Sequence, residues 1–217
     1  MIMLLDYQHP KIPAGIKHVE IPVIQATDQS LQGYGKLVSK EEYLNYPIEI
    51  VRWPASGTRE VDEDTGDEAG TVSGDFDFYW EGDYFKGKNH AVNSEYLFGW
   101  SKAPEKASAS GTAEPERVML WHANYHPDGG QLFFPLEGKT FISPLALPGD
   151  AVTPGDFKAF RVENGLGLYI HPNVWHEAII PLEKKARFYD EQGAVHARVS
   201  VHFPNEFGVL LSIPLKR

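Results

Sequence analysis

Short apolar runs recur along the chain, each closed by Gly, Pro, Asn or Asp. They fall at Pro47–Trp53, Phe76–Trp80, Arg117–Trp121, Leu132–Leu136, Thr140–Leu147, Phe157–Val162, Leu168–Ile170, Glu177–Leu182 and Phe207–Ile213. Runs of this length between turn formers are the pattern of strands in a sandwich or barrel. Val195–Phe203 is the clearest, because Val195, Ala197, Val199, Val201 and Phe203 alternate with His196, Arg198, Ser200 and His202. A period of two marks a strand with one apolar face. Its polar row is expected to face water. In a small barrel such a row could instead turn into the cavity, where Arg198 would suit a carboxylate. Helical signals are few and early: Thr27–Tyr34 predicts a turn or two, and Ser39–Glu42 has the form of a capping box. The pattern predicts one all-β domain over residues 1–217 with a few short N-terminal helices.

Two stretches break the pattern and are expected to be mobile loops, 57–74 and 101–116. The first contains six acidic residues and one basic residue between Arg59 and Glu68, and glycines surround it. Its acidic run lacks the alternation and the closing Glu of a calcium-binding hand, which leaves a solvated surface loop. The second is built of Ala, Ser, Pro, Glu and Gly and has no core-forming residues.

Charge and composition then narrow the function. The 217 residues carry 20 Lys and Arg against 30 Asp and Glu, a net charge of -10, which argues against binding to phosphate backbones. The absence of cysteine removes disulfide scaffolds, thiolate metal sites and cysteine nucleophiles together. No apolar run reaches membrane-spanning length, the start Met1–Asp6 is too short for a signal peptide, and a cytoplasmic location is expected. There is no Gly-x-Ser-x-Gly elbow, and Gly165-Leu166-Gly167 lacks the third glycine of a dinucleotide fingerprint.

Four of the nine histidines form two pairs. His122 and His126 stand in Trp121-His-Ala-Asn-Tyr-His-Pro127, followed by Gln131, and His171 and His176 stand in Tyr169-Ile-His-Pro-Asn-Val-Trp-His176. Imidazoles gathered from two strands are a common way to build a transition-metal or acid–base site.

The two segments, His126-Pro127, Gln131, Phe133-Phe134-Pro135 and Gly138, then Ala159-Phe160, Asn164-Gly165-Leu166-Gly167, Tyr169 and His171-Pro-Asn-Val-Trp-His176, resemble the paired motifs of the cupin superfamily. Within it they are most similar to the ureidoglycolate lyases, and Ile21–Val38 is similar to that family's opening strand and Tyr-Gly turn. Three positions depart from the family's usual residues. Asn124 replaces an acidic residue, 164–167 is one residue short, and Glu177-Ala178 follows His176 where the family has His-Pro.

The resemblance implies a cupin-like double-stranded β-helix, or jelly roll. It also implies lyase chemistry in allantoin and purine breakdown on a small 2-hydroxy acid with nitrogen on the same carbon, giving glyoxylate and urea. The implied proton-transfer residues are His126 and His176 at the centre, with His122 or His171 as a further proton carrier. Gln131, Tyr169 and Asn124 are candidates for orienting the ligand, and Lys158 and Arg198 for its carboxylate. His126, Gln131 and His176 could hold a divalent transition metal, the only cofactor expected. The expected partners are a small carboxylic acid and a second copy of the chain in a homodimer, with no nucleic acid and no membrane. The readings kept beside this one are a metal-dependent cupin isomerase or dioxygenase, a cupin that binds a small acid without turnover, and an interaction role for the acidic loop.

Overall fold

Alternating sequence becomes paired strand along much of the chain. The computed structural model describes residues 6–51, 59–62, 65, 70–193 and 197–216. Among them, two mixed sheets pack face to face. The larger sheet holds ten strands: β1 (Lys17–Glu20), β3 (Gly35–Val38), β4 (Thr71–Glu81), β5 (Tyr84–Asn89), β6 (Ser94–Trp100), β7 (Arg117–Leu120), β9 (Gln131–Pro135), β12 (Gly167–Ile170), β15 (Lys185–Gly193) and β17 (Val209–Pro214). Their order across the sheet is β1-β17-β7-β6-β5-β4-β15-β9-β12-β3. The smaller sheet holds β2 (Val23–Gln25), β8 (His122–Tyr125), β10 (Phe141–Ala146), β11 (Lys158–Val162), β13 (Trp175–His176), β14 (Ile180–Pro181) and β16 (Val199–His202). It runs β16-β8-β13-β10-β11-β2, with β14 also paired to β10. Pairing is antiparallel except β1 with β17 and β2 with β11. The architecture is the all-β, cupin-like sandwich that the pattern and the resemblance implied.

Parity decides which side chains meet between the sheets. Phe76 and Phe78 on β4, Phe85 on β5, Phe98 on β6, Phe133 on β9 and Phe188 on β15 turn inward and form one aromatic layer, with neighbouring ring centroids 4.2–6.3 Å apart. Such rings bury large apolar areas and dominate a core of this kind. The opposite parity of β9 and β12 packs outside. Leu132 and Tyr169 join Val38 in a second apolar cluster, against which Tyr43 and Tyr46 rest.

The helical expectations are met only in part. Thr27–Tyr34 forms turns, with Leu31 N–H donating to Thr27 O. The Ser39 N–H donates to the Glu42 carboxylate, as the capping box predicts, but the Ser39 hydroxyl donates to that carboxylate too instead of accepting from Glu42 N–H, and the segment leads into a single 3-10 turn at Tyr43–Asn45. The α-helix among the described residues, α1 (Phe203–Phe207), lies near the C-terminus and ends at Gly208, whose φ of 67° is the left-handed cap position. None of these helices is long and apolar enough to cross a membrane.

The loop boundaries also differ from the pattern. Residues 71–74 open β4, and 57, 58, 63, 64 and 66–69 lie outside the described residues. The Ala/Ser-rich stretch wraps the buried carboxylate of Asp83, which accepts from Ser101 Oγ, Lys102 Nζ and Ser108 N–H. Of Pro47–Trp53, Ile50 makes one bridge, to Gly129, and Arg52 and Trp53 are not among the described residues.

Gly35 fits β3 against β12 because it has no side chain. A Cβ there would overlap the Tyr169 carbonyl across the pair. Gly35→Ala is therefore expected to cost about 1–3 kcal/mol, the usual range for overpacking. Urea denaturation checks it, and an unchanged midpoint would show that β3 can shift away.

Candidate functional site

The two motif segments meet because β8 pairs with β13, which sets His176 opposite Asn124. The turn Pro127–Gly130 then carries the chain from the smaller sheet to β9 in the larger one. It leaves His126 at the end of one sheet and Gln131 at the start of the other. Both imidazole Nε2 atoms, of His126 and of His176, stand 3.1 Å from Gln131 Oε1, and the two rings are 5.0 Å apart. On the far side, His126 Nδ1–H donates to Ala197 O at 2.9 Å and His176 Nδ1–H to Val174 O at 2.8 Å. These backbone bonds fix the tautomers and turn both Nε2 lone pairs toward Gln131.

Behind Gln131 lies a polar layer. Its Nε2 donates to Asp190 Oδ1 at 2.7 Å and to Gln192 Oε1 at 2.8 Å, and Asn89 Nδ2 donates to Asp190 Oδ2 at 2.9 Å. Asp190 is fully buried, and burial pushes its carboxyl up to about 7. Burial acts the opposite way on the imidazoles, lowering His126 to about 4 and His176 to about 3, the latter helped by the neighbouring His126.

A second pair of ionisable groups shares the same cavity. His122 Nε2 lies 3.2 Å from Glu177 Oε2, and both side chains are 2% exposed. Burial drives each toward its neutral form, with His122 well below and Glu177 well above the ordinary value. The contact is close but off the line of a hydrogen bond. His122 Nδ1, Glu177 Oε2, Asn124 Oδ1 and Arg198 Nε are all buried without a hydrogen-bond partner. Four such atoms around one space are a strong sign of a ligand site, because an unsatisfied buried polar group is costly. The cavity itself is about 50 Å³, with Phe76, Phe78, Phe98 and Phe133 as its apolar wall and Tyr96 and Arg198 at one side. It suits a small polar molecule.

The structure thus gathers His122, Asn124, His126, Gln131, His176 and Arg198 of the residues expected from sequence. It does not gather His171, Tyr169 or Lys158. Tyr169 alternates with the inward Leu168 and Ile170, so its ring lies on the outer face, where its hydroxyl accepts from Glu49 N–H. His171 lies past the end of β12, with its ring edge-on to Tyr169. Lys158 is exposed at the start of β11 and lines a separate surface groove beside Tyr34. The polar row of β16 turns inward. Arg198 lines the cavity, Ser200 bonds Asp62, and His202 packs on Trp121, while His196 lies outside the described residues. Rather than standing at an open mouth, His126 and His176 are each only 5% exposed.

The set His126, Gln131 and His176 also fits a divalent transition metal. Two neutral imidazole nitrogens and one amide oxygen converge as acceptors, each imidazole backed by a backbone carbonyl. Among the described residues, no group of three or more His, Cys, Asp or Glu is placed to hold a metal. The amide oxygen of Gln131 is what completes this set.

A two-sheet, cupin-like sandwich with paired histidines and a buried His–Glu pair around an interior cavity defines the class of protein. Residues 105–205 match the model of the family described as ureidoglycolate lyase. The ureidoglycolate lyase of Stutzerimonas stutzeri (strain A1501) is 41% identical over 63 residues, 29% of this chain and 37% of that protein. That of Pseudomonas entomophila (strain L48) is 35% identical over 89 residues, 40% of this chain and 53% of its own length. The one from Pseudomonas aeruginosa (strain LESB58) is 38% identical over 81 residues, covering 37% of this chain and 47% of that relative. The chain spans about half, or less, of the length of these curated relatives. Every histidine of the cavity falls in the matched segment. Phe76, Phe78, Asn89, Tyr96 and Phe98, which form the facing wall, lie before it.

Proposed function

We propose that the protein is a carbon–nitrogen lyase acting on ureidoglycolate or a related small 2-hydroxy acid with nitrogen on the same carbon, releasing glyoxylate and urea. The observation that carries the reading is the convergence of His126, Gln131 and His176 with the His122–Glu177 pair in one small interior cavity. The reaction moves one proton: it leaves the hydroxyl as the carbonyl forms, and the departing urea nitrogen gains one as the C–N bond breaks.

The environments divide the labour. Burial lowers all three imidazoles, so position rather than basicity divides them: His122 touches Glu177, whereas the Nε2 atoms of His126 and His176 face Gln131. Their lone pairs serve better to hold a metal or the substrate's hydroxyl. Glu177, which burial pushes well above the ordinary carboxyl range toward its protonated form, can supply the nitrogen's proton, as a buried carboxyl acid does. His122 takes the hydroxyl proton, and the 3.2 Å contact returns it to Glu177, so the pair ends as it began. A metal bound by His126, Gln131 and His176 would supply Lewis-acid polarisation of the substrate's oxygens.

The test is a glyoxylate-release assay on a panel of ureido and hydroxy acids, with metal content measured on the same preparation. Glyoxylate and urea in equal amounts, with one divalent metal per chain, is the expected result. Absence of glyoxylate from every ureido acid, with divalent metals supplied, would overturn the reading.

A further inference from the structure

Arg198 stands in the wall between two spaces. It lines the interior cavity and, together with Tyr96, an outer groove of about 720 Å³ that Tyr7 also borders. Its side chain is 15% exposed, and its guanidinium carbon lies 4.4 Å over the Tyr7 ring, a cation–π contact. The obvious counter-ion is Asp62, at the edge of the acidic segment. Yet Arg198 Nε is 3.9 Å from Asp62 Oδ2, beyond a hydrogen bond. That oxygen is already occupied: the Tyr7 hydroxyl donates to it at 2.7 Å and the Ser200 hydroxyl at 2.6 Å.

The surrounding backbone is pinned as well. Asp62 N–H donates to Arg198 O at 2.8 Å, and Thr65 Oγ1 accepts from Arg198 N–H at 3.2 Å. The guanidinium is therefore gripped by its face and its backbone, while the Nε–H, which is buried, has no partner. A planar fork of donors held this way is matched to a carboxylate.

We propose that Arg198 receives the substrate's carboxylate, and that the hydroxyls of Tyr7 and Ser200 are positioning groups that hold Asp62 off Arg198 and keep the guanidinium open. The proposal rests on the reading of the cavity as the substrate site. Tyr7 and Asp62 both lie before the family-matched segment, which holds Arg198 and Ser200, so half of this device comes from chain that the match does not cover.

The experiment uses the full chain with Tyr7→Phe, Ser200→Ala, Arg198→Gln and the double variant Tyr7→Phe/Asp62→Asn. Removing either hydroxyl frees Asp62 to pair with Arg198. KM should then rise about tenfold, the scale of one charge-assisted hydrogen bond, with kcat within about threefold of wild type. In Tyr7→Phe the aromatic ring still covers the guanidinium, so the thermal midpoint should hardly move. Adding Asp62→Asn removes the competing carboxylate and should return KM to within about twofold of wild type, a rescue that a merely structural tyrosine would not show. Arg198→Gln should raise KM by about 100-fold.

Calorimetry with glyoxylate, and with urea as a probe lacking the carboxylate, separates this proposal from the lyase reading. A wild-type protein that is inactive on every ureido acid with divalent metals supplied, but binds glyoxylate through Arg198 and more weakly in Tyr7→Phe, overturns the lyase and supports the anchor. Glyoxylate that binds equally well to Arg198→Gln, or not at all to wild type, overturns the anchor. So does a Tyr7→Phe defect that Asp62→Asn fails to relieve.

Discussion

His176→Ala and His126→Ala are each expected to lower turnover by about 10²–10⁴-fold, the range for losing a positioned proton-transfer or ligand-holding group. Both Nε2 atoms meet at Gln131 Oε1, and each imidazole is fixed there by its own bond to a backbone carbonyl. Stability should fall as well. Each ring is buried and donates through Nδ1 to a backbone carbonyl, so truncation leaves Val174 O or Ala197 O without that donor. An orphaned buried acceptor costs about 1–3 kcal/mol, or several degrees of midpoint in a chain of this size. The rate should therefore be measured well below the variant's midpoint, where the folded fraction is complete. Turnover at the wild-type rate under that condition would mean that the two histidines only hold the sheets together.

The second large effect concerns pH. Asp190 sits at the bottom of the Gln131 layer with two amide donors and, among the described residues, no cation against it. Its carboxyl is raised to about 7 against an unfolded value near 3.8. Between about pH 4 and pH 7 the folded chain holds a proton that the unfolded chain releases. Stability from this group is then present below the window, lost as pH rises through it, and absent above it. A window about three pH units wide corresponds to on the order of 4 kcal/mol. His126 and His176, lowered to about 4 and about 3, work in the other direction: below about pH 6.5 the unfolded chain takes up protons that the folded one refuses.

Subtracting Asp190→Asn from wild type isolates the carboxyl, because both proteins carry the histidines. For metal-free protein in urea, the variant's stability relative to wild type should rise by that amount from pH 4 to pH 7 and then level off. A difference that does not change with pH would show that Asp190 is ionised throughout.

The sequence made the site's chemistry legible where it is dense. His122, His126, Gln131 and His176 fall in two short segments, and pairing of β8 with β13, followed by the Pro127–Gly130 turn onto β9, brings them together. Proximity to a motif misled at Tyr169, His171 and Lys158, where strand parity or position turns the side chain elsewhere. Asp190, Gln192 and Asn89 carried a signal of their own. Asp190 and Gln192 follow Ala186 and Phe188 at the inward parity of β15, and Asn89 follows Phe85 on β5. A polar residue at a position where alternation calls for an apolar one marks a buried polar layer. Strand β15 is hard to recognise for the same reason, since its inward row turns from apolar to polar halfway. Tyr7 and Asp62 had no such signal. Their contact spans 55 residues and depends on where the N-terminal segment crosses β6 and Trp121.

The cavity's two walls come from different stretches of chain, the histidines from 122–176 and most of the phenylalanines from 76–98. Selection can therefore reshape the mould without disturbing the tool. Exchanging Phe76, Phe78 or Phe98 for smaller apolar residues would enlarge the cavity, while His126 and His176 keep their backbone supports. A lineage built on this frame could thus change the size of ligand the cavity admits through β4 and β6, strands that carry none of its histidines.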